Sequence, residues 1–182
     1  MTAGPFPNRR ISVVGTSASG KSTLARRLSA RLGLAYFELD ALHWEAGWTE
    51  APDELFRERV SKAVAGDSWV VDGNYSVARD LVWSRAQVIV WLDPALPVIL
   101  RQYAGRTWRR VRTRQELWPG TGNRERASQL LRRDGLLWWI LSTHRDRRRR
   151  YTALLAARPD LTVVRLRSMS AADRWLQGLM GD

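Results

Sequence analysis

Eight residues near the N-terminus, GTSASGKS from Gly15 to Ser22, constrain this chain more than any other stretch. They match G-x-x-x-x-G-K-[ST], with Gly15, Gly20, Lys21 and Ser22 in the specified places. The pattern has a chemical meaning where a strand feeds it and a helix leaves it, because backbone N–H groups then converge on an anion at the helix N-terminus. Both flanks fit. Residues 10–14, RISVV, read as a short buried strand, and residues 21–32 put Leu24, Ala25, Leu28 and Leu32 on one helical face before Gly33. In that setting Thr16, Ser17, Ala18, Ser19, Gly20, Lys21 and Ser22 form a cradle, a P-loop, closed at its strand end by Gly15. Lys21 is expected to bridge terminal phosphates, Ser22 to offer a hydroxyl to Mg2+, and Thr23 to reach an inner phosphate. A glycine- and serine-rich turn with a purely structural use is the alternative.

The remainder of the chain alternates in the same way. LAYFELD (34–40), SWVVDG (68–73), QVIVWLD (87–93) and LTVVRL (161–166) read as four more apolar strands. Between them, residues 52–66 read as a helix with Leu55, Phe56, Val60, Ala63 and Val64 inward and Gly66 closing it. A second helix enters near Pro94 and Pro97 and runs to about Arg112. A third pattern runs from Arg124 to about Ala157, broken near Gly135, and Ser170 with Asp173 resembles a capping box for a terminal helix. Five apolar strands alternating with helices predict an α/β fold with a parallel sheet covered on both faces, as one domain over 1–182. Ligands of such sheets bind at the carboxyl ends of the strands.

Composition narrows the chemistry. Cysteine is absent and histidine is limited to His43 and His144, which removes thiol catalysis and histidine-built metal centres and leaves oxygen-bound metals such as magnesium. The N-terminus lacks a signal-peptide core, and no apolar run approaches the roughly 18 residues of a membrane span, so the expectation is a cytoplasmic protein without a membrane partner. Lys plus Arg number 30 against 18 Asp plus Glu, a formal charge of +12 that suits a phosphate-bearing partner, nucleotide or nucleic acid. Only Lys21 and Lys62 are lysines, so the charge also fits a general preference for arginine; against that background the lysine in the P-loop stands out.

Several residues at predicted strand ends carry candidate chemistry. Asp72 closes an apolar strand and is the candidate for magnesium's water shell, with a turn-forming Asp-Gly as the other reading. Asp93 also ends a strand, but Pro94 follows, and a helix cap is an equal reading. Asp40 is placed to accept hydrogen bonds from a hydroxyl or amine of an acceptor, or to cap a helix. Trp44 and Trp48 could stack on a base or simply pack. Among the six arginines of residues 101–114, Arg101 and Arg106 are the candidates for stabilising charge on a transferring group. The run HRDRRRRY (144–151) spreads around a helix and reads as surface, with Arg145 or Arg148 reaching inward.

With GTSASGKST, LDALHWEAGW, WVVDGNY, the DP-initiated helix ending in AGR, and WWILSTHRDRRRRY in place, the chain resembles the adenylate-kinase-like P-loop kinases. The resemblance covers nearly the whole chain and is strongest to the bacterial branch labelled DNA topology modulation protein, or FlaR-like. It implies a Mg-ATP-dependent phosphotransferase with sheet order 2-3-1-4-5, an acceptor-binding region about 41–67 and a short lid about 107–124. WVVDGNY stands where adenylate kinases have Asp-Gly-Phe-Pro-Arg. Asp72 and Gly73 carry over, Gly73 and Asn74 fall beside the acceptor, and Asn74, Tyr75 and Ser76 replace the Phe-Pro-Arg whose arginine grips an acceptor phosphate. Arg101 and Arg106 match the family's paired arginines. The resemblance thus implies ATP and a small acceptor, a nucleoside or nucleotide; an ATP-switched nucleic-acid-binding regulator is the alternative function.

Overall fold

A computed structural model describes residues 8–125 and 135–179. Five strands form one parallel sheet: β1 (Arg10–Gly15), β2 (Ala35–Glu38), β5 (Trp69–Asp72), β6 (Val88–Leu92) and β7 (Thr162–Leu166). Their spatial order is β2-β5-β1-β6-β7, which is the expected 2-3-1-4-5 once the small separate hairpin of β3 (Trp44–Glu45) and β4 (Thr49–Glu50) is set aside. The helices are α1 (Lys21–Leu32), α2 (Leu39–His43), α3 (Asp53–Ala63), α4 (Arg79–Trp83), α5 (Leu96–Thr113), α6 (Leu136–Ala156) and α7 (Met169–Gly178).

Strand alternation divides the core between the two faces. Ile11, Val13, Val70, Val88 and Val90 pack with Leu24, Leu28, Ala172 and Leu176 of α1 and α7. Trp69, Val71, Ile89 and Trp91 pack on the opposite side with Phe56, Val60, Val82, Tyr151 and Leu155 of α3, α4 and α6. Because both faces are covered, the central strands read as continuous apolar runs, and every residue of β6 is buried. A smaller cluster, Ile99, Tyr103 and Ile140, seats α5 and α6 against Ala18 of the P-loop.

Local differences from the sequence reading have physical causes. The second strand stops at Glu38, and Asp40 stands in the first turn of α2 instead of at a strand end. Neither α2 nor α4, each of five residues, is long enough to leave a periodic signature. The helix after the fourth strand does start beside Pro97, in its first turn where a missing N–H is harmless. Its N-cap is Ala95 without a side-chain bond, so Asp93 is not a cap; it accepts instead from Arg165 Nε at 2.9 Å and pairs with Arg148 at 3.0 Å. The terminal helix is capped by Ser168, whose Oγ accepts from the Ala171 N–H at 3.1 Å. The Ser170–Asp173 box does not form, because the helix begins two residues earlier and Asp173 is held by Arg27 at 2.5 Å. α3 ends at Ala63, before Gly66. Arg124 pairs in extended form with Glu116 instead of opening a helix; residues 126–134 of that expected helix lie outside the described residues, and Gly135 caps α6.

Phe56 is fully buried, with its ring 5.0 Å from His43 and 4.9 Å from Tyr75, so it joins the core to α2 and the turn after β5. Phe56→Ala is expected to lower unfolding stability by about 3–5 kcal/mol, read from urea denaturation as a shifted midpoint at unchanged slope.

Candidate functional site

The P-loop runs from the end of β1 to the start of α1. Gly15 is held there by packing that admits no side chain: a Cβ would lie 2.6 Å from the Leu92 carbonyl oxygen and 2.8 Å from Ser19 Oγ. Asn74 clamps the same residue from the turn that follows β5. Its Oδ1 accepts from the Gly15 N–H at 3.0 Å, and its Nδ2 donates to the Gly15 carbonyl. Ser19 N–H turns back to Thr16 O at 3.0 Å, and Gly20 precedes α1 in a left-handed conformation without a side-chain cap. The first N–H groups of α1 therefore lack both intrahelical acceptors and a side-chain cap, and a helix N-terminus in that condition favours an anion.

Parallel pairing of β1 with β5 sets Val13 opposite Asp72 and brings Asp72 Oδ1 to 4.0 Å from Lys21 Nζ. Asp72 is buried, and burial raises its pKa to about 6 against the lowering effect of the Lys21 charge and the nearby Ser22 hydroxyl. Its Oδ1 is buried without a hydrogen-bond partner, and Oδ2 accepts from Tyr36 OH at 3.4 Å. Tyr36 also donates to Glu38 at 3.2 Å, and its phenol pKa is pushed up, first by burial and then by Asp72. Among the described residues no group of three or more His, Cys, Asp or Glu could hold a metal. An orphaned carboxylate oxygen beside a P-loop serine instead fits a magnesium ion whose other ligands are waters and phosphate oxygens.

Asp40 faces this assembly from α2. Tyr75 OH donates to its Oδ1 at 2.8 Å, and the phenol pKa is raised by burial and next by the Asp40 charge, so Tyr75 remains a donor. Arg106, on α5, lies within the field of Asp40; burial and then Arg110 lower its pKa, while Glu125, Tyr103 and Asp40 oppose them. Lys21, Ser22, Asp72, Asp40 and Arg106 are thus brought to one end of the sheet. Arg101 is exposed on α5. Five residues of helix separate it from Arg106, a rotation of roughly 140°, so the two do not share a face.

The other sequence candidates have different occupations. Asn74 is engaged with the Gly15 backbone, as described above. Gly73 meets Leu39, whose Cβ would lie 2.6 Å from an added Cβ, so a glycine lets β5 end against α2. Trp44 packs edge-on to His43 at 5.1 Å and Trp48 at 5.7 Å, and Trp48 continues edge-on to Trp118 at 5.8 Å. That aromatic row joins the β3–β4 hairpin to the loop after α5. Buried Asn123 completes the joint: its Oδ1 accepts from Trp48 N–H at 2.9 Å and its Nδ2 donates to Glu45 O at 2.8 Å. In the arginine run, Arg148 is exposed but pairs with the buried Asp93, Arg147 lies over Trp139 at 3.9 Å, and Arg145 is exposed. Asp93, Arg147, Arg148 and Tyr151 line a small cleft beside Gly15 and Thr16.

Sequence reasoning missed Tyr75, Asn123, Arg110 and Glu125. The four-residue spacing of Arg106 and Arg110 on a helix was an available signal; the other three depend on contacts between distant segments.

No family model matches the chain, and no curated protein matches it. Solved structures share its fold. A sugar kinase from Janibacter sp. HTCC2649 is 22% identical over 95% of both chains with a TM-score of 0.53. A gluconokinase from Sinorhizobium meliloti 1021 is 18% identical over 97% of this chain and 91% of that one, TM-score 0.54. The shikimate kinase of Acinetobacter baumannii, in complex with shikimate, is 17% identical over 94% and 90%, TM-score 0.51.

Asp72 gives a stability test. Its folded pKa lies above the unfolded value, so its contribution to stability is present in full below the unfolded pKa and is lost as pH rises through about 6. Asp72→Asn is therefore expected to raise the melting temperature of the ligand-free protein at pH 7 and to flatten its fall between pH 4 and pH 7. Thermal melts across that range check both.

Proposed function

We propose that this protein is a Mg-ATP-dependent phosphotransferase that moves the γ-phosphate of ATP to a hydroxyl of a small acceptor. The observation that carries the reading is the pairing of Lys21 with a buried Asp72 whose Oδ1 has no hydrogen-bond partner, at the mouth of an uncapped α1. A cradle of N–H groups, one ammonium and one free carboxylate oxygen beside Ser22 match the needs of a Mg-nucleotide.

In this mechanism Thr16 to Thr23 grip the phosphates, and Lys21 and Arg106 neutralise charge that grows on the transferring group. Arg101 joins them only if bound nucleotide reaches its face of α5. Ser22 and Asp72 would hold Mg2+, which when bound supplies charge neutralisation on the phosphate oxygens. Tyr75 fixes one oxygen of Asp40 and leaves the other to accept the acceptor's O–H. The acceptor oxygen then bonds to the γ-phosphorus as its bond to the β,γ-bridging oxygen breaks, ADP departs, and the hydroxyl proton passes to Asp40. The segment about 41–67 serves as the acceptor region and about 107–124 as its lid, and the Asn123 joint between them would exclude water.

A hydroxyl acceptor suits the site better than a nucleoside monophosphate. Asn74, Tyr75 and Ser76 replace the arginine-bearing segment that the adenylate-kinase resemblance calls for, and two of the fold neighbours are named for gluconate and shikimate, both small and hydroxylated. The narrower resemblance to the FlaR-like branch belongs to this proposal as well.

ADP release with Mg-ATP, assayed against nucleosides, nucleoside monophosphates, sugars, gluconate and shikimate, tests the reading. An acceptor-dependent rate is expected, reduced at least about 100-fold by Lys21→Ala and by a similar factor in kcat by Asp40→Asn. A rate that stays at background with every acceptor, or that survives Lys21→Ala, sinks it.

A further inference from the structure

Arg106 and Arg110 stand four residues apart on α5, so their guanidiniums lean to the same side of the helix. One carboxylate lies between them. Arg110 Nη1 donates to Glu125 Oε1 at 2.7 Å, and Arg106 Nη2 stands 3.8 Å from the same oxygen. All three are largely covered, with side-chain exposures of 24% for Arg106, 25% for Arg110 and 15% for Glu125. The set is nevertheless incomplete: Arg106 Nε and Glu125 Oε2 are both buried without a hydrogen-bond partner. Among the described residues, a covered pair of guanidiniums paired with one carboxylate leaves an excess positive charge and an unfilled donor, a costly arrangement unless another anion can use it.

The position of the pair indicates which anion. Arg106 feels the charge of Asp40, the proposed hydroxyl partner, and Glu125 arrives on the loop that Asn123 fastens to the β3–β4 hairpin. The cations therefore border the acceptor side. Exchanging Glu125 for another carboxylate would keep the charge balance of a partly desolvated site. An acceptor acid can also present two oxygens to two guanidiniums, which Glu125, bonded through one oxygen, does not.

We propose that Arg110 anchors the anion-binding end of the acceptor site, with Arg106 spanning from that anion to the transferring group, that Glu125 is a displaceable stand-in for the acceptor's acid group, and that the acceptor is a small hydroxy acid. The hydroxyl half of this assignment rests on the phosphotransferase reading; the acid half rests on the arginine pair alone.

Calorimetric titration of the full chain with matched probes tests it: glycerate against glycerol, and galactonate against galactitol. At least one acid is expected to bind about tenfold or more tighter than its neutral partner. Arg110→Gln should erase that difference, and Glu125→Gln, which removes the internal competitor, should tighten the acid several-fold without moving the neutral polyol. Equal binding of acid and neutral partner, or no binding by either acid, overturns the proposal, and that comparison needs no variant. A Glu125→Gln protein that tightens Mg-ATP while leaving the acids unmoved assigns the pair to nucleotide phosphate and overturns it too. Failure of the phosphotransferase reading has a separate signature: Mg-ATP binding that is absent or insensitive to Lys21→Ala.

Discussion

The parallel pairing of β1 with β5 is the interaction on which the rest of the site depends. Its register sets Asp72 opposite Val13, and so the carboxylate closes one strand where the P-loop leaves the next. From the turn that follows β5, Asn74 reaches back and binds both backbone polar groups of Gly15. One strand pair therefore fixes the loop's start, its lysine's partner and the carboxylate beside Ser22. A slip of one residue would turn Asp72 to the other face of the sheet and dismantle all three.

Around that pair the site is electrostatically graded. At the P-loop end a buried carboxylate is held by one ammonium and one hydroxyl and resists ionisation. On α5 two arginines share a single glutamate. Asp40 is fixed by Tyr75 and acts on Arg106. Each of these groups is desolvated to a degree that isolated surface charges are not, and their mutual fields are correspondingly stronger.

Much of this was legible in the sequence because the signals are local. Five apolar runs, a glycine-bounded loop and a helix with Leu24, Ala25 and Leu28 on one face need only neighbouring residues to be read. Lys21, Ser22 and Asp72 follow from the same local grammar. The short α2, the β3–β4 hairpin and α4 were not legible, since stretches of two to five residues carry too few positions for a period. Asp93 misled for a related reason: an Asp before Pro has the local look of a cap, whereas its partners Arg148 and Arg165 lie on distant elements. Asn74 was placed beside the acceptor by resemblance, yet its amide is engaged by Gly15, 59 residues earlier.

The sequence by itself determined the layered α/β fold, the order of its main strands through the family resemblance, and the glycine-bounded turn between β1 and α1, because each is written in periodicity, glycine placement and motif spacing. Tertiary structure alone decided which side chains share the site. Arg101 and Arg106 look equivalent along the chain, but helical rotation exposes one and turns the other toward Asp40. Arg110 and Glu125 find each other only when the loop after α5 turns back on that helix, and Asn123 finds its partners only when the same loop folds onto the hairpin 75 or more residues before it. Contacts at that separation depend on the global packing of the chain, and no local pattern encodes them.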